Sequence, residues 1–320
     1  MTIWQAIILG IVQGLTEFIP VSSTAHLIFA SRATGLFAGV EQTLRAERTT
    51  ATIAVIQLGT LIAVFVYFAR DIWSITHAFV RDHLALLRGR AGESGSAREP
   101  AGGFWRRLSD EARLGWLVVI GSIPIAAVGL AFKDEIEGTF TKNLWVIATM
   151  MVVVALLLVV AEAVGKRKRE MNELGLRDAL AVGFAQVLSL IPGASRSGST
   201  IMGGLFAGET RETAARFSFL LSIPAITASG LLELKEAMEK LPEGSALPLA
   251  VATVVSGVVG YASIWFLLRF LRTHSTGVFI GYRLVVGLAL LLLLALGTIS
   301  PLDTTATANA RAKETMNAER

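Results

Sequence analysis

Residues 13–27 read QGLTEFIPVSSTAHL, and residues 185–200 read AQVLSLIPGASRSGST. Each lies inside a longer apolar stretch, about 2–34 and about 178–207, and interrupts it with a proline followed by clustered hydroxyl residues. Proline ends or kinks a helix, and Ser, Thr and Gly favour a turn. The half-stretches hold about 12–18 residues, mostly short of the ~20 needed to cross ~30 Å of hydrocarbon. The pattern predicts two helix–loop–helix hairpins that enter a membrane and return. Irregular backbone at that depth is tolerated only when buried in protein or lining an aqueous cavity.

Outward from these hairpins, six segments are long and apolar enough to span: about 52–69, 113–132, 143–164, 213–232, 247–271 and 279–298. Only 17% of the 320 residues are charged, against about 25% in soluble domains. A lipid-facing surface accounts for the deficit, because charge there is expensive. The chain holds no cysteine, which excludes disulfides, thiolate metal sites and a cysteine nucleophile. Its first residues read as the start of the first hairpin rather than as a signal peptide. No basic segment opens them, and Gln13 and Glu17 interrupt the apolar run.

The two hairpins resemble copies. Gly10, Gln13 and Leu15 before Pro20 match Gly183, Gln186 and Leu188 before Pro192. Three spans follow each, so the second copy must face the opposite way. The expected fold class is therefore all-α integral membrane, with six transmembrane helices plus two re-entrant hairpins in an inverted-topology repeat. Residues 1–300 form one membrane domain, with repeat one at about 1–164 and repeat two at about 178–298. The segment 91–103 reads as a flexible part of a loop, and 302–320 as a polar, disordered tail.

Basic residues cluster in the stretch 70–112, at Lys166–Arg169 and at Arg269 and Arg272, while the stretches 133–142 and 233–246 are acidic. The positive-inside rule makes the basic loops cytoplasmic and both termini external. The net charge of +4 thus reads as loop orientation, and no nucleic-acid partner is expected.

The chemistry-bearing residues concentrate at the breaks. Glu17 lies in an apolar stretch one helical turn after Gln13. It reads as a base, an orienting group or a metal ligand, or else as a paired surface carboxylate. Ser22 and Ser23 sit on the turn, and a serine cluster by itself caps helices. His26, three residues after Ser23, adds the logic of an activated nucleophile. Arg196 at the Pro-Gly break needs an anionic partner. A phosphate on a helix N-terminus suits its planar fork, and an ion pair with Glu17 is the alternative. Arg283, in GYRLVVG at the start of the last span, reads as an interfacial anchor rather than a substrate contact.

QGLTEFIPVSSTAHL and LSLIPGASRSGSTI, together with RFSFLLSIPAI at 216–226 and GYR at 281–283, closely resemble the signature regions of the bacterial undecaprenyl-diphosphatases, the bacitracin-resistance family. The resemblance runs to about residue 298. It implies a membrane enzyme that removes one phosphate from undecaprenyl diphosphate to recycle the cell-wall lipid carrier. It further implies location in the bacterial inner membrane with the site open to the periplasmic side. A divalent cation, Mg²⁺ or Ca²⁺, is the implied cofactor, with Glu17 as a metal ligand. The carried-over positions are Glu17, Ser23, His26 and Arg196 as catalytic residues. Gln13, Ser22, Ser195, Ser197 and Thr200 are carried over as substrate-binding residues. Many members have Glu where this chain has Gln13, which leaves Glu17 the sole carboxylate of its motif. Expected partners are the lipid substrate, the membrane and, as a further candidate, a second copy in a homodimer. In the expected reaction Ser23 attacks the terminal phosphorus with His26 as base and Glu17 orienting His26 or binding metal; direct attack by water activated by Glu17 or His26 is the alternative. A lipid-phosphate flippase of the inverted-repeat type is the alternative function.

Overall fold

The computed structural model describes residues 1–37, 39–40, 42–88, 104–132, 143–240, 244–299 and 301. Among them the chain is all-helical, with one isolated bridge between Arg169 and Glu209 and no strand. The helices are α1 (Ile3–Phe18), α2 (Ser23–Ala33), α3 (Gln42–Tyr67), α4 (Ala69–Leu87), α5 (Asp110–Ala131), α6 (Leu144–Val164), α7 (Leu176–Val187), α8 (Arg196–Ala207), α9 (Arg211–Lys240), α10 (Ala246–Leu271) and α11 (Gly277–Ala295). Five of them, α3, α5, α6, α10 and α11, carry stretches long and apolar enough to cross a membrane. This is a multi-pass helical membrane protein. The expected span at 213–232 lies within α9, which is not among the five and continues to Lys240, into the stretch read as a loop.

Both breaks fall where the prolines put them. At 1.5 Å per residue, α1 is about 24 Å long and α2, α7 and α8 are about 17–18 Å, each short of the hydrocarbon thickness. Thr2 caps α1 through a reciprocal pair with Gln5: Gln5 N–H donates to Thr2 Oγ1 at 3.2 Å, and Thr2 N–H to Gln5 Oε1 at 2.8 Å.

Packing crosses between the halves. α1 lies along α10 of the second half, and α7 lies along α5 of the first. Glycines make both approaches close. A Cβ on Gly10 would stand 2.6 Å from the Ala252 carbonyl oxygen, and one on Gly183 would collide with the backbone of Gly121. α3 packs on α9 and α6 on α11. The largest core cluster gathers Phe18, Phe68, Phe219 and Ile201 where the hairpins meet.

One expectation changes. The stretch 70–112 is not loop throughout, since it opens with α4. Asp82 on α4 accepts from Ser109 N–H at 2.8 Å and Ser109 Oγ–H at 2.7 Å, tying α4 to the start of α5. The segments 91–103, 133–142 and 302–320 lie outside the described residues.

Candidate active site

The first loop is built by two constraints. α1 stops at Phe18 because Ile19, preceding Pro20, adopts extended backbone (φ −67°, ψ 135°). The chain then turns through Ser22 at φ 79°, a conformation that a side chain rarely adopts. α2 starts at Ser23. This brings the last turn of α1 against the first residue of α2. Ser23 Oγ–H donates to Glu17 Oε2 at 2.9 Å, and Gln13 Nε2 donates to the same oxygen at 3.2 Å. Gln13 Nε2 also reaches Thr60 Oγ1 on α3 at 3.4 Å.

The second loop repeats the device. Gly193 (φ 93°) and Ser195 (φ 70°) turn the chain, and α8 starts at Arg196. Ser195 Oγ caps α8 by accepting from Gly198 N–H at 3.2 Å and lies 3.2 Å from Ser197 Oγ. Ser197 Oγ–H crosses to the Ile19 carbonyl of the first loop at 3.3 Å. Thr200 turns back on its own helix, donating to the Arg196 carbonyl at 2.8 Å, and also meets Ser218 Oγ of α9.

The two loops meet through charge. Arg196 Nη2 donates to Glu17 Oε1 at 2.9 Å, with side-chain exposures of 13% and 9%. Arg196 Nη1 is buried with no hydrogen-bond partner. Of the two partners expected for Arg196, Glu17 is therefore the one present, and the guanidinium keeps a donor free.

His26 occupies a different position from the one its spacing suggested. Among the described residues it makes no hydrogen bond to Ser23. Nδ1 lies 2.7 Å from the Ser22 carbonyl, Nε2 lies 2.6 Å from the Tyr282 hydroxyl, and the two rings stack with centroids 5.5 Å apart. The carbonyl can only accept, so Nδ1 carries a proton, and in the neutral imidazole Nε2 accepts from Tyr282. The group within proton-transfer reach of Ser23 is Glu17.

Sequence reasoning missed Tyr282 and misread Arg283. Arg283 is fully buried and donates to backbone carbonyls in both loops, so it is no interfacial anchor. Thr60 and Ser218, which touch Gln13 and Thr200, were also unforeseen. Nothing in the local sequence sets Thr60 apart, whereas Ser218 lies within RFSFLLSIPAI, a stretch that carries the family resemblance. The GYR motif at 281–283 was the one available signal for the first two.

Among the described residues no group of three or more His, Cys, Asp or Glu side chains could hold a metal. Glu17 is the one carboxylate at the loops' meeting point, and the neighbouring Gln13 Oε1 is buried without a partner. Mg²⁺ and Ca²⁺ take six or more oxygen ligands. These donors fit a cation shared with phosphate oxygens and water, and do not fit an all-protein cage.

Fold and site together define a multi-pass helical membrane protein with a partly buried Glu–Ser–Arg constellation between two broken helices. A family model described as bacitracin resistance protein BacA matches residues 6–289, and the chain belongs to this family. It is 50% identical to an undecaprenyl-diphosphatase of Syntrophobacter fumaroxidans, over 91% of this chain and 97% of the relative. It is 44% identical to one from Chlorobaculum tepidum (94% and 100% covered) and 46% identical to one from Nocardia farcinica (94% and 98%).

Proposed function

We propose that this protein hydrolyses undecaprenyl diphosphate to undecaprenyl phosphate and inorganic phosphate, recycling the cell-wall lipid carrier and conferring bacitracin resistance. The family and the names of its relatives support the reaction. The observation that carries the site assignment is the contact of Arg196 and Ser23 with opposite oxygens of Glu17. Nothing favours the flippase alternative.

Phosphoryl transfer depends mainly on positioning and on neutralising charge. In this reading the unpartnered Nη1 of Arg196 takes a phosphate oxygen, and the hydroxyls of Ser195 and Ser197 and the N-terminus of α8 add donors. Ser23 Oγ attacks the terminal phosphorus with a lone pair while the proton of its hydroxyl passes to Glu17 Oε2, the oxygen it already donates to. Undecaprenyl phosphate leaves as an anion. Water then attacks the phosphorus now on Ser23, its proton passing to His26, which Ser22 and Tyr282 orient. The Ser23 Oγ–P bond breaks as Glu17 returns its proton to Oγ, and inorganic phosphate leaves. Glu17 and Gln13 would hold Mg²⁺ or Ca²⁺, which supplies further charge neutralisation at the diphosphate.

The same reading extends to the architecture. The crossed packing of α1 on α10 and α7 on α5 supports one membrane domain of two inverted halves, with α9 as the sixth span and the hairpins re-entrant. The lipid chain would lie between helices, with the head group entering from the outer side of the bacterial inner membrane.

The test is phosphate release by the purified protein in detergent from a water-soluble short-chain prenyl diphosphate. One phosphate per substrate is expected, abolished by EDTA and restored by Mg²⁺ or Ca²⁺. Release no faster than from an Arg196→Ala variant rules the reading out.

A further inference from the structure

Breaking two helices inside a membrane leaves backbone carbonyls that no helical N–H can satisfy. Three of those at the breaks converge on one side chain. Arg283 Nη1 donates to the Pro20 carbonyl at 3.3 Å, and Nη2 donates to those of Gly193 at 2.9 Å and Ala194 at 3.0 Å. The same guanidinium reaches α6, with Nε on the Met151 carbonyl at 3.2 Å and Nη2 on the Met150 carbonyl at 3.3 Å. Its five partners thus come from the first loop, the second loop and the helix behind them.

Arg283 has no carboxylate partner among the described ion pairs and is 0% exposed. A buried cation without a counter-charge is costly, and an interfacial anchor would keep its head group in water. Five donors in a rigid plane can satisfy carbonyls from three elements at once, whereas a lysine offers three donors from a single point. A Cβ added to Gly198, one turn into α8, would lie 3.3 Å from Nη1, so α8 also approaches the guanidinium closely. The preceding residue, Tyr282, holds His26. One turn of α11 therefore contacts His26 and the backbone of both loops.

We propose that Arg283 is the positioning residue of this site: it ties the carbonyls of both loops to α6 and so fixes the register in which Ser23 and Arg196 face one phosphate. The inference deepens the phosphatase reading and rests on it for its consequence in turnover. The tie itself is independent of the reaction.

The experiment uses the full-length protein and Arg283→Lys, which keeps the charge and loses the fork. Turnover of the short-chain diphosphate is expected to fall about 100-fold, the order that a misplacement of about 1 Å produces, while KM stays within about threefold. Hydrogen–deuterium exchange read by mass spectrometry is expected to quicken at residues 21–24 and 194–198, with α6 and α11 unchanged. Turnover within threefold of the wild type, or unchanged loop exchange, overturns the proposal. So does aggregation, or protection lost throughout α6 and α11, since Arg283 would then hold the bundle rather than the loops. If the wild type itself releases no phosphate, the phosphatase reading fails, and the exchange data still decide whether Arg283 orders the loops.

Discussion

The hairpin α1–α2 and the hairpin α7–α8 follow one plan and carry different chemistry. Gly10 and Gly183 each meet the backbone of a helix from the other half, Gln13 and Gln186 are both buried, and Ser22 and Ser195 both turn the chain at positive φ just before the second helix. In the same register, Glu17 corresponds to Leu190, Ser23 to Arg196, His26 to Ser199 and Leu36 to Glu209. The shared positions are those that shape the backbone. The divergent ones carry the charge, the nucleophile candidate and the imidazole. The comparison teaches that the fold needs the break twice, while the acid is needed once and the cation once, facing each other.

Arg196→Ala removes the cationic half of this division and should have the largest effect. Turnover is expected to fall about 10³-fold or more, as when an arginine that neutralises a transferring phosphoryl group is lost. The buried Glu17 carboxylate then stands unpaired, at a stability cost of about 3–5 kcal/mol. Phosphate release and thermal unfolding in detergent measure the two consequences.

On the first hairpin, Glu17→Gln should lower turnover about 10²–10⁴-fold, the range of a lost general base. Ser23→Ala should abolish turnover together with any acid-stable phosphoserine trapped from labelled substrate. Near-normal release by folded Ser23→Ala would assign the attack to water and leave Glu17 as its base.

Where the first hairpin exits through the buried Leu36, the second exits through the equally buried Glu209, whose two carboxylate oxygens have no hydrogen-bond partner. Burial pushes the Glu209 carboxyl from 4.5 up to about 8, with Asp178 adding to the shift and Arg169 opposing it. Between about pH 4.5 and 8 the folded protein keeps a proton that the unfolded chain has released. Stability should therefore fall as pH rises through that window, by up to about 1.4 kcal/mol per pH unit. Glu209→Gln should flatten the profile, and unfolding midpoints at pH 5, 6.5 and 8 will show it. A profile identical to the wild type's would mean that Glu209 is ionised throughout.

The smallest effect separates the two turns. Ser22 makes no capping bond, whereas Ser195 caps α8. Ser22→Gly should relieve strain worth about 1–3 kcal/mol. Ser195→Gly should gain less, because a cap is lost at a cost of a few tenths. Equal gains in thermal stability would show that the cap contributes nothing.

Much of this was legible in the sequence. Pro20 and Pro192 with their trailing hydroxyls located both breaks, and the isolation of Glu17 and Arg196 in apolar surroundings marked both as site residues, with their ion pair as one of two readings. Arg283 was not legible, because an arginine opening an apolar span looks the same whether it meets head groups or carbonyls. Its partners lie 89 to 263 residues away in the chain. His26 misled for the opposite reason. Its proximity to Ser23 in sequence suggested a dyad, but the turn at Ser22 aims the ring at Tyr282. α4 escaped notice because Arg70, Asp71, Arg81 and Asp82 break the continuous apolar run that marks a span, although its apolar residues keep the helical period.

The glycine-lined seat of α1 on α10 also constrains how the protein is made. A ribosome adding roughly 5–20 residues per second emits more than two hundred residues between Gly10 and its contact at Ala252. For on the order of ten seconds or more, the newborn first hairpin has neither α10 to lie against nor Arg196 to neutralise Glu17. It must wait at the insertion machinery or at the membrane surface, where water can solvate that carboxylate. The seat of α1 is therefore completed only once α10 has been made, and a chain truncated before α10 is left with an unseated hairpin.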